Sequence, residues 1–65
     1  MGSIPVPEGR KMLEAANIQP QEGSGHPELE FWVRPNGMPV TIPYAGRPLG
    51  QFYDKEALEA ILAGN

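Results

Sequence analysis

The sequence predicts a small α+β domain with the element order α-β-β-β-α, in which two helices pack on one face of a three-stranded antiparallel meander. Three observations support this fold class: alternating apolar and polar stretches flank an Asn-Gly pair, helical periodicity occurs near both ends, and 65 residues allow one domain at most. A chain of this size buries only about 60% of its unfolded surface. We therefore do not expect a deep, enclosed active site.

The domain is assigned to residues 8–64, preceded by an N-terminal arm of residues 1–7. The arm contains two prolines and is expected to be flexible, and residues 1–3 have the composition of a tag remnant. It lacks the basic start and apolar run of a signal peptide, and no stretch reaches the roughly 18 apolar residues of a membrane span. With no cysteine as well, the default expectation is a cytoplasmic protein without membrane contact.

The first predicted helix covers residues 8–17. Its apolar side chains recur at helical spacing, Gly9 weakens its first turn, and Asn17 can adopt the left-handed conformation that ends many helices. A brief, irregular strand is then predicted over residues 18–22. The residues on the apolar side of the helix are Met12, Leu13 and Ala16.

A β-hairpin is the strongest local prediction. Its strands cover residues 29–34 and 38–42, and they are separated by an Asn-Gly pair at 36–37, which is typical of a two-residue type I′ turn. Because Pro39 has no N–H donor, the second strand is expected at the edge of the sheet. The strand over 18–22 must then lie on the other side of the hairpin, which completes the meander.

The type I′ turn also predicts which side chains face the core, since it pairs Val33 with Val40. Trp32 would then point away from the core, where either another segment covers it or it binds a base or a protein partner. Glu28 and Glu30 are interpreted as a solvated strand face rather than as acid-base or cation-binding groups. The residues assigned to the apolar core face are Leu29, Phe31, Val33, Val40 and Ile42.

The clearest helix in the sequence follows a connection over residues 43–53. Asp54 is predicted to cap its N-terminus, Glu56 suits the positive end of the helix dipole, and Gly64 ends it. The side chains expected to pack on the sheet are Tyr44, Leu49, Phe52 and Tyr53 from the connection and Ala57, Leu58, Ile61 and Leu62 from the helix.

Charge and composition limit the classes of function. The formal charge is −3, from eight acidic and five basic residues. This balance argues against a strong nucleic-acid binder, because Lys and Arg supply most non-specific affinity for phosphates, although it leaves room for one basic face. A single histidine and scattered carboxylates do not predict a metal site, and no cofactor is predicted.

The only histidine, His26, lies in a Gly-Ser-Gly-His-Pro loop at residues 23–27. An imidazole can take a proton from a ribose 2′-hydroxyl or give one to the leaving 5′-oxygen, and neighbouring glycines let a phosphate approach backbone N–H groups. A second group is then required, for which Tyr44, Lys55 or a substrate-bound water are candidates. The competing interpretation is an exposed histidine in a simple turn.

A Gly-Ser-Gly-His loop at residues 23–26 precedes an aromatic-rich strand that ends in Arg-Pro-Asn-Gly at 34–37, followed by Val-Thr-Ile-Pro at 40–43 and a closing helix over 58–62. These motifs resemble the HicA-type mRNA interferase toxins, small bacterial or phage proteins with a fold similar to a double-stranded RNA-binding domain. The resemblance implies a cytoplasmic toxin of a toxin–antitoxin system, a metal-independent endoribonuclease with RNA and an antitoxin as partners. His26 matches the family's catalytic histidine.

Two classes of function stay open, and a third is more distant. The first is the HicA-like RNA-binding, RNA-cleaving protein with His26 as general acid or base. The second is a non-catalytic protein-interaction module that binds through Trp32 or by strand addition at residues 38–42. The third is a small winged DNA binder over residues 50–62, which lacks a basic recognition helix. The residues assigned to RNA or partner binding are Ser24, Trp32, Arg34, Arg47 and Lys55.

Overall fold

The computed structural model describes residues 2–21 and 25–64. Within these residues, β2, β3 and β4 form a three-stranded antiparallel sheet in that order, and β1 pairs antiparallel with β5. The predicted α+β class and the three-stranded meander are confirmed, whereas β1 and β5 are not predicted. In chain order the elements are β1 (Ser3–Pro5), α1 (Val6–Ala15), β2 (Gln19–Pro20), β3 (Leu29–Val33), β4 (Pro39–Pro43), β5 (Phe52–Asp54) and α2 (Lys55–Leu62).

Residues 3–7, which the sequence assigns to a flexible arm, form strand β1 and the start of helix α1. Ile4 of β1 pairs with Tyr53 of β5. Val6 N then donates to Gln51 O at 3.0 Å. These backbone bonds satisfy donors and acceptors that an isolated arm would leave to water, and they place the start of α1 against β5.

Helix α1 starts before the predicted residue 8 because Pro7 fits the first helical turn, where no backbone N–H is needed. Its C-terminus has the two hydrogen bonds of a Schellman motif. Asn17 N donates to Glu14 O at 2.9 Å, and Ile18 N donates to Leu13 O at 3.0 Å. Asn17 has a φ of 63°, which confirms the predicted left-handed conformation.

The turn between β3 and β4 has three residues instead of two. Gly37 N donates to Arg34 O at 2.8 Å and Arg34 N donates to Met38 O at 2.9 Å, with Gly37 at a φ of 90°. This is a type I turn followed by a left-handed glycine. Pro35 accounts for the difference, because it suits the second position of a type I turn. In the predicted turn, Pro35 would instead occupy a pairing position that needs an N–H donor.

The additional turn residue shifts the register of the hairpin by one residue. Trp32 pairs with Val40, and Glu30 pairs with Ile42. A one-residue shift moves the side chains of a strand to the opposite face. Strand β4 therefore keeps Val40 and Ile42 toward the core, as predicted, but β3 presents Glu30 and Trp32 there. The side chains wrongly predicted to face the core are Leu29, Phe31 and Val33.

The core lies between the two helices and the inner face of the sheet. Trp32 and Tyr53 are its largest fully buried side chains. Helix α1 contacts Tyr53 at Gly9, which is buried, so this glycine allows a close approach rather than only weakening the helix. The buried apolar residues are Leu13, Ile18, Trp32, Ile42, Tyr53, Leu58 and Ile61.

Helix α2 forms as predicted. Of the side chains in the connection before it, only some pack on the core as predicted. Asp54 Oδ1 accepts a hydrogen bond from Ala57 N at 3.2 Å, which confirms the predicted N-cap. Tyr53 is buried, as expected. However, Leu49 and Phe52 are 41% and 38% exposed, so their assignment to the core is wrong.

Replacing Gly9 by Ala should destabilise the fold, although alanine is the better helix former. A Cβ at residue 9 would lie 2.4 Å from Cδ2 and 2.7 Å from Cε2 of Tyr53. We expect Gly9→Ala to lower the free energy of unfolding by roughly 1–3 kcal/mol. Urea denaturation followed by Trp32 fluorescence measures this change.

Gly2→Ala is the matched control. The atom nearest to a Cβ at residue 2 is Cδ of Lys55 at 3.1 Å, and this exposed side chain can move aside. The control should stay within about 0.5 kcal/mol of the wild type. Unchanged or increased stability of Gly9→Ala would contradict the close contact between α1 and Tyr53.

Candidate functional site

The carboxylate of Glu30 accepts four side-chain hydrogen bonds within the described residues. Its Oε1 accepts from Trp32 Nε1 at 2.8 Å and from the Tyr53 hydroxyl at 2.6 Å. Its Oε2 accepts from the Tyr44 hydroxyl at 2.6 Å and from Arg10 Nη2 at 3.3 Å, and the contact with Arg10 is also an ion pair. We refer to these five side chains as the Glu30 cluster: Arg10, Glu30, Trp32, Tyr44 and Tyr53.

Ring contacts hold the same side chains in position. The rings of Tyr44 and Tyr53 are stacked, with centroids 6.0 Å apart and planes 6° from parallel. The Arg10 guanidinium lies 5.5 Å from the centroid of the Trp32 ring, which is a cation–π distance. The donors around Glu30 are therefore fixed by packing as well as by hydrogen bonding.

These contacts shift the ionisation of the cluster. Burial by itself raises the pKa of Glu30, but hydrogen bonds from two tyrosines and Trp32, together with the positive charge of Arg10, bring it below its ordinary value. Burial, and then the hydrogen bond to Glu30 and its charge, raises the pKa of Tyr44 to about 12. The same causes raise the pKa of Tyr53. The cluster thus holds an ionised carboxylate between neutral phenols.

The geometry of the Glu30 cluster favours a structural role, although shifted pKa values also occur at active sites. The Glu30 side chain is 18% exposed, and each of its oxygens already accepts two hydrogen bonds. Within residues 2–21 and 25–64, every buried side-chain N or O atom has a hydrogen-bond partner. No group of three or more His, Cys, Asp or Glu residues in these ranges is placed to hold a metal ion.

Sequence reasoning missed this cluster because the predicted register directed Glu30 to solvent. The interpretation of Glu30 as part of a solvated face is wrong, whereas Glu28 is exposed as expected. Pro35 is the residue from which the cluster could have been predicted. Its preference for a type I turn implies the observed register, and that register directs Glu30 inward.

His26 lies beside the opposite face of the sheet. Its Nδ1 accepts a hydrogen bond from Glu28 N at 3.1 Å. The edge of its ring meets Phe31, with centroids 6.3 Å apart and planes at 72°. Phe31 alternates along β3 with the buried Trp32, so its side chain belongs to the outer face of the sheet. The exposed imidazole is therefore oriented by one backbone donor and one aromatic ring.

Two of the residues predicted to bind RNA or a partner have structural contacts instead. Trp32 is fully buried and donates to Glu30, so its prediction as an outward binding residue is wrong. The cause is the register shift in the hairpin. Arg34 is partly buried, and its Nη2 donates to Ile61 O at 3.1 Å. This bond gives a second donor to a carbonyl in the last turn of α2, which also accepts from Gly64 N at 3.1 Å.

The remaining predicted residues lie on separate segments. Arg47 is exposed in the connection between β4 and β5, and Lys55 is exposed at the start of α2. Ser24 lies outside the described residues, so its predicted role has no structural counterpart here. The structure therefore places His26, Arg47 and Lys55 at the surface, but on three different parts of the chain.

Two open grooves adjoin each other beside β2, and each has a volume of about 430 Å³. Asn17 and Gln19 line both of them, so the two grooves share a wall with amide side chains. Val33 belongs to the second groove and also to the outer face of β3. The full linings are Glu14, Asn17, Ile18, Gln19 and Pro20 in the first and Asn17, Gln19, Val33, Arg34 and Pro35 in the second.

No protein-family model, curated protein or solved structure matches the chain. The resemblance to HicA-type toxins stays a prediction. Among the described residues, neither helix has the length and apolar character needed to span a bilayer.

Replacing Glu30 by Gln should destabilise the protein, because an amide offers the surrounding donors one neutral oxygen in place of two charged ones. We expect a loss of about 2–3 kcal/mol in the free energy of unfolding, measured by urea denaturation. Glu28→Gln is the matched control, since Glu28 is exposed, and it should change stability by less than about 0.5 kcal/mol. Equal stability of the two variants would contradict the structural role of Glu30.

Stability should fall at both ends of the pH range. The lowered pKa of Glu30 means that its contribution is present above the ordinary glutamate pKa and is lost as the pH falls through the lowered value. The raised pKa of Tyr44 means that its contribution is complete below about pH 10, the ordinary tyrosine value, and is lost as the pH rises to about 12. Urea denaturation at a series of pH values measures both losses.

Tyr44→Phe should change the loss of stability at both ends of the pH range. It removes one titrating phenol, so the alkaline loss should become shallower. It also removes a donor that lowers the pKa of Glu30. The stability that Glu30 contributes, and that is lost as the pH falls into the acid range, should therefore become smaller. An unchanged profile in this variant would show that Tyr44 and Glu30 are not coupled.

Proposed function

We propose that this chain is a small RNA-binding and RNA-cleaving protein in which His26 acts as the general acid. The observation that carries the proposal is the placement of this imidazole, which is exposed and oriented by Glu28 N and the Phe31 ring. The function agrees with what the resemblance to HicA-type toxins implies. No metal is required for this chemistry, because an imidazole supplies the proton transfer itself.

The hydrogen bond to Nδ1 orients the ring and leaves Nε2 as the nitrogen that meets the substrate. A neutral imidazole carries one proton, and a nitrogen that accepts a hydrogen bond does not hold it. The neutral ring therefore carries its one proton on Nε2. It becomes the general acid when Nδ1 takes up a second proton from solvent and releases Glu28 N, because donation from the neutral ring would leave an imidazolate. As the ribose 2′-oxygen bonds to phosphorus, the bond to the 5′-oxygen breaks and Nε2 protonates that oxygen. A water bound with the substrate takes the 2′-hydroxyl proton, which leaves a 2′,3′-cyclic phosphate and a 5′-hydroxyl.

The distribution of cations limits the affinity for phosphates. Arg10 and Arg34 have contacts within the fold, to Glu30 and to the Ile61 carbonyl. Arg47 and Lys55 are exposed, and we assign the phosphate contacts to them. With so few cations, binding should depend only weakly on salt, because that dependence scales with the number of phosphates neutralised.

A second candidate function is strand addition at β4, without catalysis. It is favoured by the sheet order, which places β4 at one end of the three-stranded sheet. Backbone pairing with an extended peptide is a common mode of protein recognition at such an edge. This alternative predicts that RNA is neither bound nor cleaved, and that a peptide partner shifts the backbone NMR signals of β4.

His26→Ala should abolish RNA cleavage and leave both fold and RNA affinity nearly intact, because the side chain is exposed and contributes the proton rather than the binding surface. We expect the cleavage rate under saturating protein to fall by a factor on the order of 10²–10⁴. A labelled single-stranded RNA, followed by gel electrophoresis in the presence of EDTA, measures the rate.

Arg47→Ala and Lys11→Ala are the controls for this experiment. Arg47→Ala should weaken binding without changing the rate at saturation, and it should reduce the salt slope by about one. Lys11 is an exposed cation on α1 without a role in the proposal, so its loss should change less. Equal cleavage rates for wild type and His26→Ala would overturn the assignment of His26.

A further inference from the structure

We propose that prolines close the open edges of the two sheets, so that this chain does not pair edge to edge with copies of itself. The inference goes beyond the proposed function, and it opposes the second candidate because the same edge of β4 is involved. A strand at the end of a sheet leaves N–H and C=O groups with which another strand can pair. Proline has no N–H, so it interrupts such pairing wherever it faces outward.

The hydrogen bonds of β4 show which of its residues face the open edge. Tyr44 N donates to Glu28 O at 3.1 Å, on the side of β3. Because this orientation alternates along an antiparallel strand, residues with even numbers point toward β3 and those with odd numbers point away. Pro39 and Thr41 therefore face the open edge, and the pairing of Tyr44 with Tyr53 joins the end of this strand to β5. Of the two outward residues, only Thr41 has an N–H to offer.

The other two edge strands also have a proline at an outward position. In each strand, the residue after the proline donates to the partner strand, so the proline itself points away from that partner. Pro20 thus faces the open edge of β2, and Pro5 faces that of β1 together with Ser3. The neighbouring bonds are Gln21 N to Phe31 O at 2.9 Å in β2 and Val6 N to Gln51 O at 3.0 Å in β1.

Proline rather than charge protects these edges, because none of the three strands carries a charged side chain. Natural edge strands are protected by charged residues, by short length, by bulges or by proline. The three strands read Ser-Ile-Pro, Gln-Pro and Pro-Val-Thr-Ile-Pro in chain order. Their short length already makes β1 and β2 poor templates for pairing, whereas β4 has five residues. The edge of β4 therefore depends on Pro39 the most.

The same geometry opposes strand addition by a peptide. An antiparallel strand added at β4 would place a carbonyl opposite each outward residue. A carbonyl opposite Pro39 would leave water and find no donor, which is the unfavourable case for a hydrogen-bonding group. Thr41 N alone would remain to hold the peptide. We therefore expect the wild-type chain to leave such a peptide unbound.

Replacing Pro39 by Thr tests the proposal, because threonine suits a strand and returns an N–H to the open edge. Two copies that pair antiparallel along β4 would then gain one hydrogen bond from each chain. We expect the association constant of Pro39→Thr to exceed that of the wild type by at least about 10-fold. Sedimentation velocity over a series of protein concentrations measures this change, and the wild type should stay monomeric.

Pro7→Thr is the matched control, since Pro7 is exposed in the first turn of α1 and lies outside the strands. This variant should stay as monomeric as the wild type, and circular dichroism checks that both variants fold. Equal association of the wild type and Pro39→Thr would overturn the proposal, because the proline would then make no difference at the edge.

Hydrogen exchange of the wild type, followed by NMR, tests the same edge without a substitution. The amides of Val40 and Ile42 face β3 and should exchange slowly, whereas the Thr41 amide should exchange quickly at every protein concentration. The probe for strand addition is a synthetic peptide of residues 28–34, the segment that pairs with β4 inside the fold, and it should leave Thr41 unchanged. Protection of Thr41 at high protein concentration, or by this peptide, would overturn the proposal. Neither measurement involves His26, so the cleavage proposal is tested separately.

Discussion

The ionised carboxylate of Glu30 is the interaction on which the rest of this fold depends. It joins Arg10 of α1, Trp32 of β3, Tyr44 after β4 and Tyr53 of β5. A chain of 65 residues without cysteine has a small core and no covalent cross-link to support it. A half-buried charge is costly unless it is fully hydrogen-bonded. The observed arrangement of these four segments supplies all four donors, so the cluster favours this assembly.

This internal use of polar side chains determines which surface is available for function. Trp32 and Arg34 are aromatic and basic side chains of the kind that bind RNA, but they hold the core and the end of α2 together. The opposite side of the same strand carries Phe31, and His26 lies against it. One strand thus separates a structural face, rich in hydrogen bonds, from an uncharged face beside the imidazole.

Local sequence signals predicted much of the fold. The Asn17 helix end, the Asp54 cap and the hairpin each depend on residues close together in the chain, and all three are observed. The loop motif selected His26 as the candidate histidine, and its role stays a prediction. The register was missed because Pro35 changes the turn type. That change places Glu30 and Trp32 on the inner face of the sheet, where Phe31 was predicted.

The fold class, the end of α1 at Asn17, the Asp54 cap of α2 and the presence of a hairpin follow from local sequence patterns, because turn chemistry and apolar periodicity act over a few residues. The pairing of β1 with β5, the burial of Trp32 and the partners of Glu30 arise only from the packing of the whole chain. Arg10 and Tyr53 lie 20 and 23 residues from Glu30. Whether these groups meet depends on packing and desolvation of the whole chain, which no local pattern encodes.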